Sequence, residues 1–168
     1  MALKLANLSS PETLSRYFLY VALFNMVVGV AATVPVLVPA WGLPLKLQVW
    51  PGTWMFVAYF SFLIAGVVGF VTWAVVLYML PRMFGKQRLS RYMSLFHIVA
   101  FETGVLGATA LMGIFPGYYG GTYIHDGVGQ FVVTRLIEWA VIPIGIFISL
   151  ALIATLVGVL NVITGSSK

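Results

Sequence analysis

The chain has 168 residues, 61% of them hydrophobic and only 8% charged, with a formal net charge of +5 and no cysteine. A soluble domain carries roughly 25% charged residues, so in water this chain would leave long apolar surfaces exposed, and the composition points to lipid as its solvent. So small a set of basic groups reads as a topology signal rather than a nucleic-acid footprint, and the lack of cysteine excludes disulfides, thiolate zinc sites, iron–sulfur ligation and a cysteine nucleophile.

Residues 1–11 are short and polar, and the apolar run that begins at Tyr17 is not followed by a small-residue cleavage site. The first helix is therefore expected to stay in the protein rather than leave as a signal peptide. Four apolar stretches follow, at residues 17–39, 54–80, 92–115 and 136–163, each reaching the roughly 20 residues that a spanning helix needs. The expected fold is all-α: one polytopic domain, a bundle of four transmembrane helices. The connections are short. Residues 40–53 carry Trp41, Trp50 and several prolines, residues 81–91 are basic, and residues 116–134 are rich in Gly and Tyr. Trp41, Trp50, Trp54, Tyr118, Tyr119 and Tyr123 stand where an aromatic belt would meet the headgroups.

Basic residues set the orientation. Arg82, Lys86, Arg88 and Arg91 crowd the second connection, whereas the first has Lys46 alone and the third has no basic residue before Arg135. The second connection is expected in the cytoplasm, and with it both termini, in agreement with Lys4, Arg16 and Lys168. Small residues recur at helical spacing in the series Ser61, Ala65, Gly69, the pair Gly145, Ser149 and the pair Ala154, Gly158. The third span has its own small face of Ala100, Thr103, Gly104, Gly107 and Ala110. Such stripes let helix backbones approach closely in lipid.

Few groups could carry chemistry. Glu102 sits near the middle of the third span, where a carboxylate is costly unless protonated, paired or wet. Its helical phase places it nearly opposite the small face, on the side shared with Val105, Leu106 and Thr109. If the small face packs inside the bundle, Glu102 looks outward, and Glu102 with Thr109 marks a partner interface or a proton path. His97 is a candidate heme or metal ligand, but it lies about 140° around the helix from Glu102, so the two cannot share one ligand set. His125 and Asp126 form a minimal metal candidate in an outer, Gly-flanked connection. Arg135 and Glu138, three residues apart, can neutralise each other on one helix face. No phosphate loop, nucleophile elbow or nucleic-acid stripe is present.

The run Pro51-Gly-Thr-Trp-Met55, followed by Phe62-Leu-Ile-Ala-Gly66 and Leu80-Pro-Arg-Met-Phe-Gly85, resembles the second helix of heme–copper oxidase subunit I. In that family the helix opens with His-Gly-Thr-x-Met, passes an Ala-Gly pair and ends near a Leu-Pro-x-x-x-Gly turn. The resemblance covers the family's first four helices and implies the same inside N-terminus. It also implies that the family's low-spin heme ligand falls at Pro51, which cannot ligate iron, while the helices carrying the other ligands are missing. What it implies is a truncated, degenerate relative that binds no cofactor alone, with heme and copper in partner subunits.

The function expected is a non-catalytic accessory subunit of a multi-subunit respiratory oxidoreductase in the cell membrane, a heme–copper terminal oxidase first among them. Its partners would be other membrane subunits, together with lipid or quinone, and no nucleic acid. The alternatives are an accessory subunit of a copper-dependent membrane monooxygenase, an independent small transporter or channel, and a small b-type heme protein using His97.

Overall fold

The computed structural model describes residues 8–38 and 48–167. Lys4, Pro39, Trp41, Lys46 and Lys168 lie outside the described residues. Within them four helices are long and apolar enough to cross a membrane: α1 (Pro11–Leu37), α2 (Trp54–Phe84), α3 (Arg91–His125) and α4 (Gln130–Thr164). No strand occurs among the described residues. The protein is a multi-pass transmembrane four-helix bundle.

The helices overrun the bounds expected from hydropathy, and local chemistry explains where they stop. Pro11 opens α1 at its first positions, where a helix needs no N–H and the fixed φ of proline suits it. In α2, Pro81 falls inside the last turn and does not end the helix. The stop comes at Gly85, whose φ of 64° is a left-handed C-cap that a side chain would strain.

The third connection, expected over residues 116–134, shrinks to 126–129, because α3 continues to His125 and α4 begins at Gln130. Gly113–Gly120 is wound as a π-helix around Pro116. A proline in an α-helix loses one ladder bond and its ring crowds the carbonyl four residues earlier. The wider π turn makes room, so Pro116 marks a rewinding instead of a break. The glycines of this stretch serve a contact: a Cβ on Gly117 would lie 2.8 Å from the Met55 nitrogen, and one on Gly120 would lie 2.5 Å from Pro51. The start of α2 rests directly on the backbone of α3.

α3 is the central element. Along one side it packs tightly against α4, where a Cβ on Gly104 would stand 2.7 Å from the Phe147 oxygen and the Ala151 nitrogen. Gly107 makes room for the Phe147 ring, and Gly158 of α4 for the ring of His97. α1 packs along α2, but it reaches α3 chiefly through side chains, of which Phe18 against His97 (4.9 Å between centroids) is one. The small-residue stripes divide accordingly. Gly104, Gly107, Ala154 and Gly158 close the α3–α4 contact, and Gly69 faces Phe101 at 3.5 Å with Ser61 and Ala65 half-buried on the same helix. Gly145 has nothing within 4 Å of an added Cβ, and Ser149 is exposed, its hydroxyl donating back to the Gly145 carbonyl. Among the described residues this pair closes no contact: α4 packs closely along α3, which leaves this small face without a helix on it.

Ser9, near the described start of the chain, Ser166, near its described end, and the α2–α3 connection share one end of the bundle. The Leu89 amide donates to the Ser9 carbonyl at 2.8 Å, and Arg88 and Ser166 form an antiparallel bridge. Lys86 donates to the Val162 carbonyl (2.7 Å) and to that of Ile163. An ammonium on the last carbonyls of a helix satisfies orphan acceptors and opposes the negative end of its dipole. Asn161 accepts from the Ser90 amide (2.8 Å) and donates to the Ser94 hydroxyl (3.0 Å), tying α4 to the start of α3. Above this knot sits the main core, in which Phe18, Phe70 and Phe101 meet in series as tilted rings with centroids 5.3 and 5.0 Å apart.

Candidate functional site

The middle of the bundle carries one polar cluster, and it joins three helices. Asn25, fully buried on α1, donates one amide hydrogen to the Gly66 carbonyl of α2 at 2.7 Å and the other to Glu102 Oε2 of α3 at 3.0 Å. The Asn25 Oδ1 is buried without a partner. Gly66 falls within Phe62–Gly69, a second π-helical stretch. A π turn loosens the regular ladder, which leaves a carbonyl better placed to take a side-chain donor. Glycine keeps this spot open: an added Cβ would stand 3.1 Å from the Phe62 ring and 3.3 Å from the Asn25 amide, so those side chains would have to give way by a few tenths of an ångström.

This corrects the outward reading of Glu102. Its half-buried carboxyl is turned toward α1, and its donor comes from its own chain. The helical phase did place Glu102 away from Gly104. But α3 is covered on both sides, by α4 over the glycines and by α1 and α2 over the acid.

His97 lies elsewhere. It is buried within a box of Phe18, Trp73 and Phe101, with ring centroids at 4.9, 4.3 and 6.1 Å, and it lies against the bare backbone of Gly158. Its Nε2 is buried without a partner, and the surroundings are aromatic and apolar. His125 and Asp126 are exposed at the end of α3, and no group of three His, Cys, Asp or Glu side chains comes together among the described residues. Arg135 and Glu138 do pair, at 3.3 Å, on an exposed surface, where such a pair is worth at most about 1 kcal/mol. Pro51, the residue at the resembled heme-ligand position, is buried against Gly120. It has no donor atom for iron, so these residues do not fit a heme.

One turn beyond the polar cluster, in the half of the bundle away from Ser9 and Ser166, a groove of about 430 Å³ opens between α1, α2 and α3. Its floor is Val28, Phe62 and Leu106, each three or four residues from Asn25, Gly66 and Glu102 in turn. Four hydroxyl-bearing residues punctuate an otherwise apolar lining: Thr33, Tyr59, Thr109 and Tyr118. Thr109 thus shares the Glu102 face of α3, as its phase requires, but it borders the groove. Sequence reasoning missed Asn25, Thr33 and Tyr59. A lone amide in an apolar span was the one available signal, since a buried amide, like a buried carboxyl, has to find hydrogen-bond partners.

No family model, curated protein or solved structure matches the chain.

Proposed function

We propose that the chain is an accessory subunit of a multi-subunit membrane oxidoreductase in the cell membrane, in the first instance a respiratory heme–copper oxidase, with heme and copper held by the partner subunits. The observation that carries the subunit role is the outer face of α4. Gly145 and Ser149 lie one turn apart on a helix whose Ile142, Ile146, Leu152 and Ile153 are all exposed. Small residues at this spacing allow a second helix to approach, and among the described residues nothing lies within 4 Å of a Cβ added at Gly145. The oxidase in particular is supported by the resemblance in the α2 region, where Pro51 in place of histidine fits a supporting part.

The test is mild-detergent purification from the native membrane, with mass spectrometry of co-migrating proteins and an optical spectrum of the same fraction. Oxidase subunits together with a heme spectrum would support the reading. A copper enzyme without heme would move the subunit to a membrane monooxygenase, and a lone colourless oligomer would favour a transporter or channel and overturn the subunit role.

In the same reading, the end that gathers Ser9, Ser166 and the Lys86–Arg91 segment is cytoplasmic, because Arg82, Lys86, Arg88 and Arg91 cluster there. A reporter fused after the C-terminal residue is expected to be active only when it is a cytoplasmic type. Activity of a periplasmic-type reporter at that position, or labelling of a cysteine introduced at Lys86 by an impermeant outside reagent, would reverse the orientation.

A further inference from the structure

We propose that the outer side of α2 at its Arg82 end binds one anionic phospholipid, with the lipid phosphate on the Arg82 guanidinium and an acyl chain along Val75 and Val71. Val71, Val75, Tyr78 and Arg82 follow one another at helical spacing, so they form a single stripe of α2, and all four are exposed. The core residues Phe70, Ala74 and Leu77 occupy a different side of the same helix. From Val71 to Arg82 the stripe runs roughly 16 Å at 1.5 Å per residue, about half of the roughly 30 Å hydrocarbon core and so the depth of one leaflet. Arg82 stands in the last turn, just before the Gly85 cap, where a long side chain can keep its charge among the headgroups. The stripe thus has the order of a phospholipid, apolar within the membrane and ionic at its surface.

The guanidinium is held in place but left unpaired. Its Cζ lies 3.7 Å from the centroid of the Tyr78 ring, one turn earlier on the helix. Contact at this distance is made through the flat face, which leaves the N–H edge, the fork that matches two phosphate oxygens, free to bind. Among the described residues no carboxylate or carbonyl takes that edge. Charge then selects the lipid. At this end Arg16, Arg82, Lys86, Arg88 and Arg91 stand against a single acid among the described residues, Glu12. Glu102 lies mid-span, and Asp126 and Glu138 belong to the opposite end. A zwitterionic lipid would bring its own ammonium into this positive field, whereas an anionic lipid brings the phosphate alone.

The site stands whether or not the chain serves a larger enzyme, because its test uses the full chain alone. The protein purified in detergent would be titrated with phosphatidylglycerol and with phosphatidylcholine of the same acyl chains, read by native mass spectrometry. The first lipid bound is expected to be phosphatidylglycerol, favoured about tenfold, the ratio that one charge-assisted hydrogen bond supplies. Arg82→Gln should erase most of that preference. Tyr78→Leu keeps the charge but frees the guanidinium, and should weaken phosphatidylglycerol about two- to fivefold, whereas Tyr78→Phe keeps the ring and should match the wild type. Both side chains are exposed, so the bundle core is untouched. Equal binding of the two lipids by the wild type would overturn the proposal. A loss in Arg88→Gln as large as that in Arg82→Gln would replace the site with a diffuse field. Displacement of the lipid by excess glycerol 3-phosphate at constant ionic strength would overturn the lipid assignment in favour of a free phosphate ester.

Discussion

Replacing Gly104 with alanine is expected to destabilise the bundle by about 2–3 kcal/mol, near the upper range for adding a methyl group to a filled core. The added Cβ would sit 2.7 Å from the Phe147 oxygen and the Ala151 nitrogen. Both are backbone atoms of α4, so no side chain can swing aside, and the two helices must separate. That separation loosens the neighbouring contacts of Gly107 with Phe147 and of Gly158 with His97. In lipid no hydrophobic force compensates, since association rests on close packing itself. Gly145→Ala is the matched control on the open face, where nothing lies within 4 Å. It should be neutral, or stabilising by up to about 1 kcal/mol through helix propensity. Unfolding in mixed detergent micelles reads both, and equal midpoints for the two variants would mean that α3 and α4 do not pack along Gly104.

Asn25→Leu is the second substitution with a large expected effect, about 3 kcal/mol. The Asn25 amide is the donor for both the Gly66 carbonyl and Glu102, at 2.7 and 3.0 Å. Leucine leaves two acceptors without that donor, and an unmet buried acceptor costs about 1–3 kcal/mol. Glu102→Leu should cost less, about 1 kcal/mol, because Asn25 keeps its bond to Gly66. Glu102→Gln, which preserves a carbonyl acceptor, should stay close to wild type. The double variant Asn25→Leu with Glu102→Leu should be less destabilised than the sum of the singles, by about 0.5–2 kcal/mol, as for two residues in direct contact. Additive singles would show that the amide and the carboxyl do not meet.

Glu102 shows how far the sequence can be read. A carboxylate in an apolar span must be satisfied, so its importance follows from hydropathy alone, and its phase relative to Gly104 follows from the 100° step of a helix. Its partner does not follow. Phase gives a direction around one helix, and whether that direction meets lipid or protein depends on how many neighbours the helix has. α3 has its own chain on both sides, because α1 reaches across to it with Asn25.

The four spans, the aromatic belt and the crowding of basic residues at one connection are properties of composition along the chain, and lipid enforces them. Without water to satisfy the backbone, apolar stretches of this length must be helical. The exact helix ends and the π turns were not legible, because proline and glycine have two meanings in a membrane. Pro116 reads locally as a stop, yet the helix passes through it by rewinding, and Gly117 and Gly120 read as loop residues, yet they let Met55 and Pro51 rest on α3. Which stripe of small residues closes a contact was also beyond the sequence. Gly104 and Gly145 are the same residue in similar settings, but one lies under Phe147 and the other faces outward.

Composition and periodicity thus determined the solvent, the number of spans and the residues whose burial has to be explained, since those depend on each segment's own transfer from water. The tertiary structure alone decided the Asn25–Gly66–Glu102 junction, the enclosure of His97 and the groove above Val28, Phe62 and Leu106. Each of these is made by side chains from separate helices, and in lipid the choice of which faces meet rests on close fit and hydrogen bonding rather than on hydrophobicity.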